Sequence, residues 1–359
     1  MSSERRPDYQ AMVTERFGEP LTNRRRRRVP PDDGVVEVRV GACGVCGTDV
    51  KIRNGRIPGV RTPIVQGHEI AGIISDLGET TTDLKQGQRV LAHPNQFCGT
   101  CKACRTGRHS LCTSGRGRTG FTRDGGFADY VSLPPHVLIP LPDSLSLVEA
   151  APIPDSVATC WRGIKKLQLT PEEQLAVIGC GGLGLNAIQI AKTKGVRVLA
   201  VDVSPDKLER AVSVGADAAM LATELSSTDA MDNHLVEKAR SWSDGGLDAL
   251  IDCSGAEGAL QTDVPMLRPG GRMVLLGYSP GVAISADSAG LVLDEKEILA
   301  SRSSSYDELT EAVDMVARRL VRPQVDAVLA LSEVDKALDA LQHGHVSGRL
   351  VVVPDGSSN

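Results

Sequence analysis

Leu175-Ala176-Val177-Ile178-Gly179-Cys180-Gly181-Gly182-Leu183-Gly184 begins as an apolar run and ends in a glycine-rich loop. The run reads as a short strand, and residues 182–194 then carry apolar side chains at helical spacing. Residues 196–202 form a second apolar strand that ends in Asp202. Residues 205–214 read as a helix, with Pro205 at a favoured first-turn position. Strand-like runs recur at 247–252 and 271–277. Repeated strand–helix–strand units predict a parallel sheet with helices on both faces.

In that setting each glycine has its own use. Gly179 permits the turn, Gly181 lets the backbone approach a pyrophosphate, and Gly184 allows close packing of helix on strand. The helix N-terminus behind Gly182 and Leu183 faces the phosphate charge. Asp202 stands 18 residues after Gly184, where its carboxylate can accept hydrogen bonds from a ribose 2′-hydroxyl and would repel a 2′-phosphate. Val203 and Ser204 follow it, with no arginine to greet a phosphate. The stretch therefore predicts NAD rather than NADP.

The chain has 359 residues, enough for two domains. Its net charge of -5 gives no support for nucleic-acid binding. Aromatics make up only 3%, which predicts pockets lined by aliphatic side chains. The sequence lacks any run of 18 apolar residues, and its first eight residues lack the apolar core of a signal peptide. The expectation is a cytoplasmic protein with reduced thiols, in which nine cysteines serve metals or chemistry rather than disulfides. One local exception to the acidic balance is Arg24-Arg25-Arg26-Arg27-Arg28. It reads as a solvated edge between two early strands, the alternative being a phosphate or an acidic partner.

Upstream of the glycine loop the texture differs. Residues 9–131 read as short strands punctuated by Gly, Pro and Asp, and the change falls near Ser156. Helix-like stretches at 306–319 and 333–342 precede a final strand at 349–353. Val35-Val36-Glu37-Val38-Arg39-Val40 alternates like a strand. Gly41 to Asp49 then reads as a tight turn presenting Cys46, Thr48 and Asp49 together. His68 and Glu69 follow on a second turn. A cysteine and a histidine on two turns can each give zinc one ligand. Further on, Cys98-x2-Cys101-x2-Cys104-x7-Cys112 can close a tetrahedral thiolate shell with no open position, which predicts a structural zinc. An iron–sulfur cluster fits less well, because no Cys-Pro pair follows the last cysteine.

Taken together, Gly44-Val45-Cys46-Gly47-Thr48-Asp49, Gly67-His68-Glu69, the four-cysteine lobe, the glycine loop and Gly348-Arg349 resemble the zinc-dependent medium-chain dehydrogenase/reductase family, the relatives of alcohol dehydrogenase. The resemblance implies a mixed α/β chain. A GroES-like β-barrel catalytic domain (1–155 and 302–359) would be interrupted by a Rossmann NAD-binding domain with a doubly wound parallel sheet (156–301). It implies two zinc ions per chain, one catalytic and one structural, together with NAD. By resemblance Cys46 and His68 are catalytic zinc ligands, Thr48 takes the substrate's proton, and Asp49 orients the ligand histidine. Glu69 is similar to the acid near the zinc that exchanges with bound water. Lys207 is similar to the lysine that joins Asp202 at the adenosine ribose, and Arg349 to the arginine on the cofactor pyrophosphate.

Two positions depart from the family pattern. Where many relatives place the third zinc-ligating cysteine, the run Ala150-Ala151-Pro152-Ile153-Pro154-Asp155 offers a carboxylate. Zinc accepts carboxylate oxygen, and Cys–His–Asp carries the same formal charge as Cys–His–Cys. Some secondary-alcohol dehydrogenases look like this. The rivals are Asp155 as a helix cap, or Cys160 as the ligand. At the second position Lys51 stands where many relatives have a histidine in the proton relay. A lysine relays protons near neutral pH only with a strongly lowered pKa, so Lys51 is either solvated or a cofactor contact.

The resemblance thus implies NAD-dependent interconversion of a small-molecule alcohol, preferentially secondary, and a ketone or aldehyde, by a homotetramer or homodimer. A zinc-free reductase acting on an activated C=C or C=N bond is the alternative. His93 reads as a structural loop histidine, with bordering the substrate pocket as the other reading.

Overall fold

The fold is described from a computed structural model, in which residues 6–222 and 233–356 are placed. Residues 1–5, part of the stretch read as lacking a signal core, lie outside the described residues. The chain divides into two units. One comprises Met1–Asp155, Ser303–Ala317 and Val325–Asn359, and the other comprises Ser156–Arg302 and Arg318–Gln324.

The second unit is built on six parallel strands. From one edge they run Ala218–Leu221, Arg197–Asp202, Gln174–Ile178, Leu247–Asp252, Leu267–Leu275 and Glu297–Ala300. In chain order this is 3-2-1-4-5-6, the doubly wound arrangement in which the first strand lies at the switch point. Its central strands are buried on both faces, as a parallel sheet covered by helices requires. Val198 to Asp202 and Ala249 to Asp252 are buried without interruption. The helix Pro205–Ser213 buries Leu208 and Ala211 and none of its charged residues, whereas Gly184–Lys192 is buried on most sides and Ala158–Leu167 buries Arg162 together with its apolar face.

The first unit is largely antiparallel. Its larger sheet runs Leu138–Pro140, Arg89–Ala92, Glu69–Asp76, Val36–Val45, Arg349–Val353 and Val325–Ala330, with Tyr130–Leu133 also pairing to Val36–Val45. A smaller sheet joins Thr22–Arg26, Tyr9–Thr14 and Ile64–Val65. The strand Val36–Val45 is longer than its alternating pattern suggests. It continues through Gly41-Ala42-Cys43-Gly44, with a register shift between Val40 and Ala42. The expected tight turn at Gly41 to Asp49 is therefore strand and then helix, because small side chains at 41–44 let a bulged strand pass the packed neighbour.

Apolar side chains of both sheets meet in one core that includes Val38, Val40, Ile70, Phe127, Leu133 and Val352. Phe127 is fully buried, and a Cβ on Gly67 would stand 2.6 Å from its ring, so the ring and the bare backbone at Gly67 fit only as a pair. Phe127→Ala is expected to destabilise this unit by about 3–5 kcal/mol through lost burial and a cavity. Equilibrium urea unfolding checks this, and a loss below about 1 kcal/mol would mean the ring is not packed as described.

Candidate functional site

Three neighbouring strands of the first unit build the site. Antiparallel pairing sets Gly44 opposite Glu69 and Val45 opposite Leu350. Cys46, Glu69 and Arg349 stand at the adjacent ends of those strands, so register alone draws a thiol, a carboxylate and a guanidinium together. Gly44 is required by that pairing, since a Cβ there would fall 1.9 Å from Glu69 Oε2.

Cys46 also starts the helix Gly47–Arg53. Its sulfur accepts from Thr48 N at 3.3 Å, and its own amide donates to Asp49 Oδ2 at 3.0 Å, a capping box with a thiol in the usual hydroxyl position. Thr48 and Asp49 are consequently helical residues. The cap fixes Asp49 with its other oxygen 3.3 Å from His68 Nδ1, an ion-pair approach without hydrogen-bond alignment. His68 Nε2 lies 3.4 Å from Cys46 Sγ. Thr48 remains half-buried.

Asp155 completes the group. It lies in a π-helical turn, Ile153–Val157, a wide turn frequent at functional sites. One ligand atom from each of Cys46, His68, Glu69 and Asp155 lies within 4.8 Å of the others. Asp155 does not hold the N-cap position of the following helix, Ala158–Leu167, which falls at Val157. Cys160 instead donates its thiol to Leu183 O at 3.1 Å.

The donor set fits a divalent cation. Both carboxylate oxygens of Glu69 are buried without a hydrogen bond, and His68 Nδ1 has none either. Arg349 is buried, with Nη2 3.3 Å from Glu69 Oε1 and 3.2 Å from Asp155 Oδ2. Burial raises the Cys46 thiol, partly offset by His68. Burial likewise raises Glu69, with Arg349 opposing and Asp155 reinforcing. For His68, burial opposes protonation, but Asp49 and Cys46 outweigh it and hold the imidazole well above its ordinary value. These are acidic groups short of positive charge. A cation supplies that charge and displaces the protons. Lys51, on the same short helix, is half-buried and lowered by burial.

Cys98, Cys101, Cys104 and Cys112 form a second four-atom group in the same unit, and none is in a disulfide. Cys98 and Cys104 sulfurs are 3.9 Å apart, Cys101 and Cys104 3.5 Å, and Cys101 and Cys112 3.9 Å. Sulfurs about 2.3 Å from a central zinc form a tetrahedron with edges of about 3.8 Å, so the spacing fits. The amides of Cys98 and Cys101 donate to Cys112 Sγ and Cys98 Sγ, each at 3.3 Å, which favours thiolates.

In the second unit the glycine loop follows Gln174–Ile178 and opens Gly184–Lys192. Gly179 has φ +85°, and a Cβ on Gly184 would fall 2.0 Å from Gly179 O. A Cβ on Gly181 would meet no protein atom within 4 Å, so the loop keeps an open cradle there. Asp202 is partly committed to this loop. Its Oδ2 accepts from Cys180 N at 2.7 Å and its Oδ1 from Ser204 N at 2.9 Å, which leaves lone pairs free. A cleft of about 390 Å³ opens beside it, lined by Gly179, Asp202, Ser254, Glu257 and Asp263 among others. Gly182 and Leu183 are half-buried at the helix start, and Lys207 is half-buried in the first turn of Pro205–Ser213.

His93 lies fully buried in the first unit. Its Nδ1 accepts from Asn95 N at 3.1 Å, and its Nε2 donates to Ser304 O at 3.1 Å. Both nitrogens are thus held by backbone, which supports the structural reading. Sequence alone carried no signal for the contacts of Arg349 with Glu69 and Asp155, because these partners are distant in the chain. Gly44 facing Glu69 was hidden for the same reason.

Residues 32–143 match the alcohol dehydrogenase GroES-like domain family, and residues 182–318 the zinc-binding dehydrogenase family. An alcohol dehydrogenase of Geobacillus stearothermophilus is 33% identical over 96% of this chain and 99% of its own. An NAD-dependent alcohol dehydrogenase of Sulfurisphaera tokodaii is 33% identical, again over 96% and 99%. The solved structure of acetophenone reductase from Geotrichum candidum, in complex with NAD, superposes with a TM-score of 0.85 at 28% identity, covering 96% of this chain and 97% of that one.

Burial pushes His93 down to about 4, against 6.5 for a free imidazole. Between those values the unfolded chain binds a proton that the folded state refuses, so stability falls as pH drops from 6.5 to 4. His93→Gln, which cannot titrate, is expected to flatten that slope. Urea unfolding at stepped pH checks it, and an unchanged slope would show that His93 is not the group responsible.

Proposed function

The chain belongs to the zinc-dependent medium-chain alcohol dehydrogenase family, and from that membership we propose that it interconverts a secondary alcohol and a ketone, with NAD as hydride acceptor, at a zinc held by Cys46, His68 and Asp155. The observation that carries this reading is the convergence of the Cys46, His68, Glu69 and Asp155 ligand atoms within 4.8 Å. Bound there, zinc would act as a Lewis acid that lowers the pKa of the substrate hydroxyl. The cofactor, when bound, accepts hydride at its nicotinamide.

The chain's own residues do the rest. Thr48 would take the hydroxyl proton while passing its own hydroxyl proton on toward solvent, and the carbon-bound hydrogen would leave as hydride, so the alcohol loses one proton and one hydride and becomes a carbonyl. Asp49 lies 3.3 Å from His68 Nδ1 and would orient the ring electrostatically, which leaves Nε2 for metal. Glu69 stands beside the ligands as a further oxygen donor, and Arg349 balances the charge of Glu69 and Asp155. The four cysteines Cys98, Cys101, Cys104 and Cys112 would hold a structural zinc.

NAD rather than NADP is supported by the acidic lining of the cleft beside the glycine loop, where Asp202 and Glu257 would each repel a 2′-phosphate. In this reading Gly179, Gly181, Gly182, Leu183 and Gly184 take the pyrophosphate, Asp202 and Lys207 take the adenosine ribose, and Arg349 also serves the cofactor. A secondary alcohol is supported by scarce aromatics and by the similarity to a ketone reductase. The zinc-free reductase alternative is not favoured, because a full ligand set is present. Among the described residues no helix is long and apolar enough to cross a membrane. Assembly as a homotetramer or homodimer, and a cytoplasmic location, belong to the same reading; light scattering on the purified enzyme tests the assembly.

Elemental analysis is expected to find one zinc for each of the two donor groups. Asp155→Ala should lose the zinc of the Cys46 group and with it NAD reduction on secondary alcohols. Full zinc and full activity in that variant would overturn the ligand assignment. Thr48→Ala should retain both zincs and lower turnover by about 10²–10⁴-fold; an unchanged rate would remove Thr48 from the proton path.

A further inference from the structure

The arginine run is not used by the proposed reaction, yet the fold gives it a place. Thr22–Arg26 is the edge strand of the smaller sheet, paired to Tyr9–Thr14. Alternate arginines are neutralised: Arg24 Nε lies 2.8 Å from Glu15, Arg26 Nη1 2.5 Å from Asp124, and Arg28 Nη2 2.5 Å from Glu37. Arg28 also lies over the Tyr130 ring at 4.0 Å. The run is therefore not simply a solvated edge.

Beside it opens a cleft of about 480 Å³ lined by Arg26, Arg27, Arg28, Arg116 and Arg123. The acidic residues in its wall are Asp32, Glu37 and Asp124, so five positive groups face three negative ones on a chain whose net charge is -5. Two of those acids are already taken by Arg26 and Arg28. Arg27, Arg116 and Arg123 have no carboxylate partner among the described residues. Arg123 is held in place by its Nε, which donates to Arg116 O at 2.8 Å. Arg116 lies across the turn at Gly34, where a Cβ would come within 3.1 Å of Nη2 and φ is +75°. Tyr9, Gln96 and Ser132 add uncharged polar groups to the wall.

We propose that this cleft is a binding site for a small polyphosphorylated anion, separate from the metal group and the glycine loop. Three unneutralised guanidinium groups facing one space repel one another unless an anion lies between them, and their planar forks match phosphate oxygens in pairs. The volume takes a molecule of about nucleotide size, within the usual range of ligand pockets. One phosphate can engage Arg116 and Arg123 while another engages Arg27. The paired Arg28 and Glu37 also line the cleft.

Calorimetric titration of the purified holoenzyme with inorganic tripolyphosphate, at physiological ionic strength and with NAD saturating, tests this. The expected result is one saturable site per chain, weakened at least about tenfold in Arg27→Ala/Arg116→Ala. Arg25→Ala should bind as the unaltered chain does, since Arg25 belongs to the run but not to the cleft wall. These side chains are exposed, so the variants should keep the thermal unfolding of the parent. No saturable binding would overturn the proposal. So would equal weakening by Arg25→Ala, which would mean general attraction to the basic edge, or binding seen only without NAD, which would place the anion on the glycine loop. None of these outcomes depends on zinc occupancy or on turnover.

Discussion

Buried acid without enough buried base is the constraint on which the first unit depends. Among the described residues, Cys46, Asp49, Glu69 and Asp155 face the guanidinium of Arg349, the imidazole of His68 and the half-buried Lys51. Carboxylates taken out of water cost several kcal/mol each unless paired. Protons answer this in part, since burial raises Cys46 and Glu69. A divalent cation answers it better, because it neutralises two charges at once and satisfies oxygens that no hydrogen bond reaches. The features that suit the site to a metal are therefore those that would make it unfavourable without one.

The sheet makes this concentration of charge possible. Strands Val36–Val45, Glu69–Asp76 and Arg349–Val353 are adjacent, and their hydrogen bonds hold the donor residues at one level. Small residues permit the crowding: Gly44 gives its side-chain volume to the Glu69 carboxylate. The apolar core behind the strands fixes the register, since a one-residue slip would turn every buried side chain outward. Core and site are thus one construction, and a loss of packing at Phe127 would reach the ligands through strand register.

In the second unit the constraint is backbone approach. The central strand ends at Ile178, and the chain must turn, free its amides and start a helix within a few residues. Gly179 and Gly184 meet this by close contact with each other, and Asp202 on the neighbouring strand ties down the Cys180 amide. That carboxylate thus ties the loop to the neighbouring strand and still keeps lone pairs free.

The parallel sheet, the limits of its strand Leu247–Asp252 and of the first unit's strand Arg349–Val353, the glycine loop and the four-cysteine group were all legible in the sequence. Each depends on local spacing: alternation, helical periodicity, and ligands a few residues apart. Sequence read Gly41 to Asp49 less well, because tertiary pairing overrides the turn preference of glycine once a strand on each side supplies hydrogen bonds. The partners of Arg349, the π-helical turn that presents Asp155, the backbone clasp on His93 and the cleft beside Arg27 were decided only by tertiary structure. The Arg349 contacts, the His93–Ser304 bond and the cleft wall join residues tens to hundreds of positions apart, and balance between such residues is set by distance and burial, which no local pattern encodes. Sequence by itself determined which chemical groups this protein has and which local turns carry them; the folded chain decided which of those groups share one buried space.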